Sequence, residues 1–356
     1  MAYKILILGA SYGSLLGAKF TLAGHNITLV CRSETAALIN ANGTEVRIKL
    51  RDEEKHRSFF SNEMIGKTDA VAPEDAKPED YDLICLAMQE PQYSHPTLRN
   101  LLTRIAKSRV ACMSIMNMPP LPYLKRIPSL DSMRIKEAFL NSAIWEKFDP
   151  NLMTLCSPDP QAFRPADELP NVLHVGLPTN FKVSKFDDES LNEILRTLAR
   201  DVDTYRLDGK EVPVKLRVHD SVFVPLAKWA MLASGNYRCI TSEGPQSIRD
   251  AVHNDIRKSE DIYNFVNQIV VSLGADHRDL VPFDKYAFAA KGLMKPSSAA
   301  RAVFSGQTNI ERVDRLIKLS AESLGMLNKD IVETVEIIDQ KLKNNVDDLP
   351  KNKASL

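Results

Sequence analysis

Two groups of residues in this chain have the types and spacing that chemistry requires. The first is Gly9-Ala10-Ser11-Tyr12-Gly13-Ser14, directly after the apolar run Ile5-Leu6-Ile7-Leu8. A glycine turn at the start of a helix can hold a phosphate. The first N–H groups of a helix are unpaired, its dipole is positive there, and glycine lets the backbone approach a pyrophosphate. Gly9, Ser11, Gly13 and Ser14 are the candidate contacts. Arg32 stands at the tip of the following strand, Ile27-Thr28-Leu29-Val30-Cys31. An arginine in that place pairs with a ribose 2′-phosphate, whereas an acid would take the 2′-hydroxyl, so Arg32 argues for NADP over NAD. A solvated arginine after a strand is the alternative. Residues 9–13 also spell G-x-S-x-G, the nucleophile elbow of serine hydrolases. That motif normally follows several strands, and here it follows the first, which favours the dinucleotide reading.

The second group surrounds Lys228. It is embedded in Phe223-Val224-Pro225-Leu226-Ala227-Lys228-Trp229-Ala230-Met231-Leu232. A lysine among apolar neighbours snorkels, meets a counter-charge, or shifts its pKa and serves as an acid, base or clamp. Asn236 lies eight residues on, near the same helix face. Two polar groups stand at strand tips, Gln89 after Asp82–Ala87 and Asn117 after Val110–Ile115. Ligands of open parallel sheets bind outside such carboxyl ends, though an Asn before two prolines also makes turns. Pro296-Ser297-Ser298 opens a helix, where the serines cap it or hold a carboxylate.

These groups need elements to position them. Strand, turn, helix and strand over residues 3–32 make one βαβ unit, and apolar strands at 82–87, 110–115, 153–156 and 172–176 alternate with helical patterns. From about Val214 helical periodicity takes over. The expected fold class is α/β, a Rossmann-type doubly wound parallel sheet followed by an all-helical domain. The expected division is a dinucleotide-binding domain at 1–207, a helical substrate domain at 208–345 and a polar tail at 346–356, as 356 residues suggest. Lys+Arg and Asp+Glu both number 46, and this neutrality disfavours a nucleic-acid partner. No apolar run approaches a membrane span. The five cysteines are scattered without a C-x-x-C, which excludes a disulfide framework and a structural zinc site. The chain enters a strand at once, so no leader is expected and a cytoplasmic setting follows. The apolar helices of the second half either face a homodimer partner or form that domain's own core.

Taken together the sequence resembles the ketopantoate reductase family of the 6-phosphogluconate-dehydrogenase-like superfamily. Gly9 to Arg32 is similar to the family's opening unit, including Ala23-Gly24-His25. Met88 to Gln92 is similar to its V-K-x-x-Q, Met116-Asn117-Met118 stands where it has Q-N-G, and Lys228-Trp229 with Pro296-Ser297-Ser298 to Met326 matches its substrate domain. The resemblance implies an NADPH-dependent reductase of a small 2-oxo acid or related carbonyl. It implies that Lys228 bonds the substrate carbonyl and moves a proton and that Asn236 touches substrate. It further puts Asn117 beside the nicotinamide and has Ser297 or Ser298 hold the substrate carboxylate. Gln89 replaces the family's strand-end lysine, Leu232 its second helix asparagine, Met118 its glycine, and Asn309 its acid unless a slip of one or two residues puts Glu311 there. These departures leave a second reading open, a nucleotide-binding protein that kept the fold and lost the chemistry.

Overall fold

The computed structural model describes residues 2–9 and 12–349. It divides the chain into two compact units, one of 1–126 with 143–225, the other of 127–142 with 226–356.

In the first unit the chain lays down β1 (Lys4–Leu8), β2 (Asn26–Val30), β3 (Glu45–Lys49), β4 (His56–Phe60), β5 (Thr68–Val71), β6 (Leu83–Leu86), β7 (Cys112–Ile115) and β8 (Met153–Ser157). β9 (Gln161–Phe163), β10 (Val172–Leu177), β11 (Phe181–Ser184), the small hairpin β12 (Arg206–Leu207) and β13 (Lys210–Glu211), and β14 (Leu216–His219) follow. Eight strands form one sheet in the order β14-β11-β8-β7-β6-β1-β2-β5. From β8 to β5 the strands are parallel; β11 runs antiparallel to β8, and β14 is parallel to β11. The α/β class with a large parallel sheet is what the structure shows, with a reversed pair at one edge. The apolar runs explain the parallel core. Ile5, Leu6, Ile7 and Leu8 are all 0% exposed, as befits a strand covered on both faces. Of a second sheet, β4-β3-β10-β9, only the strand at 172–176 has a counterpart in the sequence reading. Its strand β3 alternates polar and apolar residues and buries one face only.

β14 pairs with β11, so the first unit runs past 207 to Pro225, and 127–142 belongs with the helices. The expected boundary is therefore corrected. Leu216-Arg217-Val218-His219 alternates instead of running apolar, and that hid an edge strand. The second unit is helical, with Ile256–Ser272, Phe283–Ala290, Ser298–Phe304, Val313–Ser323 and Lys329–Asp347 as its longer helices. The last of these takes in two residues of the expected tail; residues 350–356 lie outside the described residues. Ile262, Val266, Ile269 and Val270 are buried and pack on other elements of this unit, so that apolar stripe is its own core. Among the described residues no helix is long and apolar enough to cross a membrane.

Helix α1 (Tyr12–Leu22) is buried along its whole length from Gly13 to Leu22 and has no wet face for Lys19. The ammonium donates instead to the Val212 carbonyl at 2.8 Å. Burial, with help from nearby Lys215, pushes its pKa down to about 7 from 10.5. Below pH 7 both folded and unfolded chains hold this proton, and the folded chain bears the full cost of burying the charge. Between 7 and 10.5 the unfolded chain binds more protons, so stability rises with pH. Urea unfolding of the wild type and Lys19→Met at about pH 6.5 and about pH 9 is expected to show the wild type gaining on the variant at the higher pH. An equal gap at both pH values would contradict a buried, easily deprotonated Lys19.

Candidate functional site

The strand order reverses between β1 and β6, since from β1 the chain goes outward to β2 and later returns to β6 on the other side. The crevice at such a switch point, beyond the carboxyl ends of the strands, is where open α/β sheets bind ligands. Gly9 ends β1 with φ +104, and a Cβ there would lie 2.5 Å from the Ala87 carbonyl and 2.6 Å from Met88 Cγ. Only glycine fits. Ser14 is buried in the first turn of α1. Ser11 lies outside the described residues.

Gly13 has a packing role that the sequence does not show. Its Cβ would come within 2.6 Å of Ile7 Cγ2 and 3.2 Å of Ala87 Cβ. It is the residue that lets α1 lie close on β1, and a larger side chain strikes the core before any ligand. Gly17 repeats the contact one turn on, with a Cβ 3.2 Å from Ile7 and 3.3 Å from Ile27.

Three further candidates sit at neighbouring strand ends. Arg32 follows β2 by two residues, is exposed, and is the N-cap of helix α2 (Ser33–Asn42). Gln89 is exposed beyond β6, its backbone N–H held by the Gln92 side-chain carbonyl at 2.9 Å. Asn117 is half-buried beyond β7, and Met118 beside it is 0% exposed. Gly9, Arg32, Gln89 and Asn117 thus stand at the carboxyl ends of four strands that are adjacent in the order β7-β6-β1-β2.

Two residues near these strand ends escaped the sequence reading. Glu90 is 1% exposed and accepts a hydrogen bond from the Trp145 indole at 3.4 Å, with Tyr93 packed edge-on against the same ring. A buried carboxylate beside a strand end is a functional candidate. Its only signal was one acid in a short polar stretch. Arg164, which follows β9, brings its guanidinium near the Cys31 thiol at the end of β2. Burial raises that thiol's pKa and Arg164 opposes the rise.

In the second unit Lys228 and Asn236 are both half-buried, but the helical segment that carries them is not a regular α-helix. Lys228–Met231 is one α-turn, Leu232–Asn236 a π-turn, and Tyr237–Cys239 a 3-10 turn. π-turns inside helices are frequent at functional sites. Leu232, at the family's second asparagine position, is in the core. Ser297 is buried and fully engaged: its hydroxyl accepts from the Ala300 N–H at 3.1 Å and donates to the Asn236 carbonyl at 2.6 Å. It caps its helix and ties it to Asn236, whereas Ser298 is exposed.

Asn309 is exposed, bonds to the Thr308 hydroxyl at 3.1 Å, and lines a small cavity with Glu137, Arg312 and Arg315. It is Glu311 that is buried, beside Tyr237, the residue that follows Asn236. The Tyr237 hydroxyl donates to the Glu311 carbonyl at 2.5 Å and accepts from the Val313 N–H at 3.1 Å. Burial, then the Asp314 and Glu311 carboxylates, push the Tyr237 phenol far up, so it keeps its proton. Among the described residues no group of three or more His, Cys, Asp and Glu could hold a metal ion.

Residues 5–117 match the family described as ketopantoate reductase PanE/ApbA. None of the curated proteins matches the chain by sequence. Among solved structures, a 2-dehydropantoate 2-reductase from Methylococcus capsulatus superposes with TM-score 0.64 at 12% identity, covering 97% of this chain and 99% of that chain. A D-mandelate dehydrogenase solved with NADH and anilino(oxo)acetate gives 0.64 at 13%, covering 96% and 99%. A dimeric ketopantoate reductase from Staphylococcus aureus gives 0.62 at 11%, again covering 96% and 99%. The resemblance read from the sequence is borne out as far as residues 5–117, which match that family, and the chain shares the fold of the solved ketopantoate reductases over nearly its whole length. That fold is one used by nicotinamide-dependent oxidoreductases.

The contacts of Gly13 make its substitution a test of packing. Gly13→Val is expected to lower folding stability by about 1–3 kcal/mol or more, as overpacking of a dense core does, read as an earlier urea midpoint. A variant with an unchanged midpoint would show that α1 does not need this close approach.

Proposed function

We propose that this protein is an NADP-dependent oxidoreductase that reduces a small 2-oxo acid or a related carbonyl in a reducing, cytoplasmic compartment. The observation that carries the reading is the set of polar and glycine residues at four adjacent strand ends around the switch point, with Arg32 among them. Gly9 makes the left-handed turn, φ +104, that ends β1 ahead of α1, whose N-terminus would take the pyrophosphate, and Arg32 supplies the cation that a 2′-phosphate needs. Asn117 and Gln89 face the nicotinamide side of such a site. All five cysteines are free thiols, which suits a reducing setting.

The bound cofactor supplies a hydride. The chain's own residues have to hold the carbonyl and answer the charge that develops on its oxygen. Lys228 provides an ammonium that can hydrogen-bond this oxygen and release a proton to it. Asn236 adds a neutral amide on the same segment, and Ser298, the exposed serine of the pair, suits the substrate carboxylate. Glu311 is the acid we assign to this site in place of Asn309, because it is buried beside Tyr237 whereas Asn309 faces solvent. The second reading, a nucleotide-binding protein without turnover, draws on Met118 and Leu232, two core side chains at positions where the family has a glycine and an asparagine.

A panel of 2-oxo acids screened for oxidation of NADPH and NADH separates the two. We expect turnover with NADPH; tight cofactor binding with no turnover on any member would select the second reading. Arg32→Ala is expected to weaken NADPH about tenfold or more and to leave NADH nearly unchanged, since a charge-assisted contact is worth roughly 1.5–3 kcal/mol. Equal losses for both cofactors would refute the 2′-phosphate assignment. Lys228→Ala is expected to lose about 10²–10⁴-fold in turnover while still binding NADPH. A Lys228→Ala protein with normal turnover would end the proposed mechanism.

A further inference from the structure

The π-turn at Leu232–Asn236 follows Lys228 and ends on Asn236, the two residues of the second unit that the proposed function relies on most. In an uninterrupted α-helix of 3.6 residues per turn, eight residues overshoot two turns by about 80°. On a regular helix Asn236 would therefore stand well round from Lys228, off the shared face that the spacing suggests. A π-turn has a wider bonding step and takes up part of that overshoot, so the irregular turn brings the two side chains closer to one face.

The surroundings hold this turn. Five backbone carbonyls of the segment each receive a side-chain donor. Ser234 donates to Ala230 at 2.7 Å, Tyr286 to Met231 at 3.1 Å, Arg238 to Ser234 at 3.1 Å, the Cys239 thiol to Gly235 at 3.5 Å, and Ser297 to Asn236 at 2.6 Å. Of these donors Tyr286 alone is set against a matching gap. A Cβ on Gly235 would lie 1.9 Å from the Tyr286 hydroxyl, with the next contacts at 3.2 and 3.3 Å. The hydroxyl therefore fills the space that the missing side chain leaves, and it bonds the carbonyl at the start of the turn. The Tyr286 ring is fixed from behind by stacking on Tyr263, with centroids 5.5 Å apart.

We propose that Tyr286 is a positioning residue: its hydroxyl, seated against Gly235, holds the π-turn that sets Asn236 relative to Lys228. The proposal rests on the reading of Lys228 and Asn236 as substrate contacts, and the test keeps the two apart. Tyr286→Phe removes one oxygen and keeps the stacked ring. We expect its crystal structure to show residues 232–236 relaxed toward α-helix. Against the 2-oxo acid that the wild type reduces best, kcat/KM should fall about tenfold or more with the NADPH dissociation constant unchanged. Gly235→Ala alone is expected to destabilise the fold. Adding Tyr286→Phe to it should restore much of the melting temperature, because the 1.9 Å contact is gone, but not kcat/KM. A merely structural role predicts that activity returns with stability, and that result would overturn the proposal. So would a Tyr286→Phe structure that keeps the π-turn. If the wild type reduces no 2-oxo acid with either cofactor, the functional reading fails and the positioning role falls with it. The Tyr286→Phe structure still reports separately whether the hydroxyl holds the turn.

Discussion

α1 lies on β1 at a distance that only glycine permits, and the rest of the first unit depends on that contact. Gly13 faces Ile7 with no room for a methyl group, Gly17 leaves only a tight gap to Ile7 and Ile27, and Gly9 turns the chain under the Ala87 carbonyl. The helix is thereby held so close that its start opens at the switch point between β1 and β6, where a helix N-terminus can meet a phosphate. The same closeness buries α1 on every side. Its single charge, on Lys19, has no route to water and ends on the Val212 carbonyl. Dense packing of this kind tolerates little change in volume.

The second unit solves a different problem. It has to present a lysine and an asparagine from one helical segment within a nearly apolar surrounding. Trp229, Ala230, Leu232 and Ala233 are all core residues, so only the half-buried side of the segment is left for polar groups. The π-turn is a local irregularity that follows Lys228 and ends at Asn236, and five carbonyls of the segment are met by hydroxyls, a thiol and a guanidinium. Ser297 shows how tightly this is built, since one hydroxyl both starts its own helix and anchors Asn236.

Much of this was legible in the sequence for a physical reason. Ile5–Leu8, Leu83–Leu86 and Cys112–Ile115 are buried on both faces and therefore read as unbroken apolar runs. Strands with one wet face, such as Glu45–Lys49 and Leu216–His219, carry too weak an alternation over so few residues. Gly13 was recognisable as a required glycine, but what it avoids is Ile7, a contact only the fold creates. The π-turn is invisible to a reading that assumes 3.6 residues per turn. Glu90 and Arg164 are brought to the strand ends by packing and by the second sheet, and neither forms a motif with its sequence neighbours. The preference for Glu311 over Asn309 could not come from spacing, because a shift of two residues decides it. Glu311 is buried and Asn309 exposed, and that difference is what supports the proposed assignment.

The central claim is that a hydride moves from a nicotinamide to the carbonyl carbon of a 2-oxo acid on this protein. The direct measurement is to supply NADPH carrying deuterium at C4 of the nicotinamide, incubate it with the protein and 2-oxo acids, and locate the label in the products by mass spectrometry and NMR. The account predicts deuterium on the carbinol carbon of a 2-hydroxy acid. Bound cofactor whose label never reaches a product carbon would contradict it.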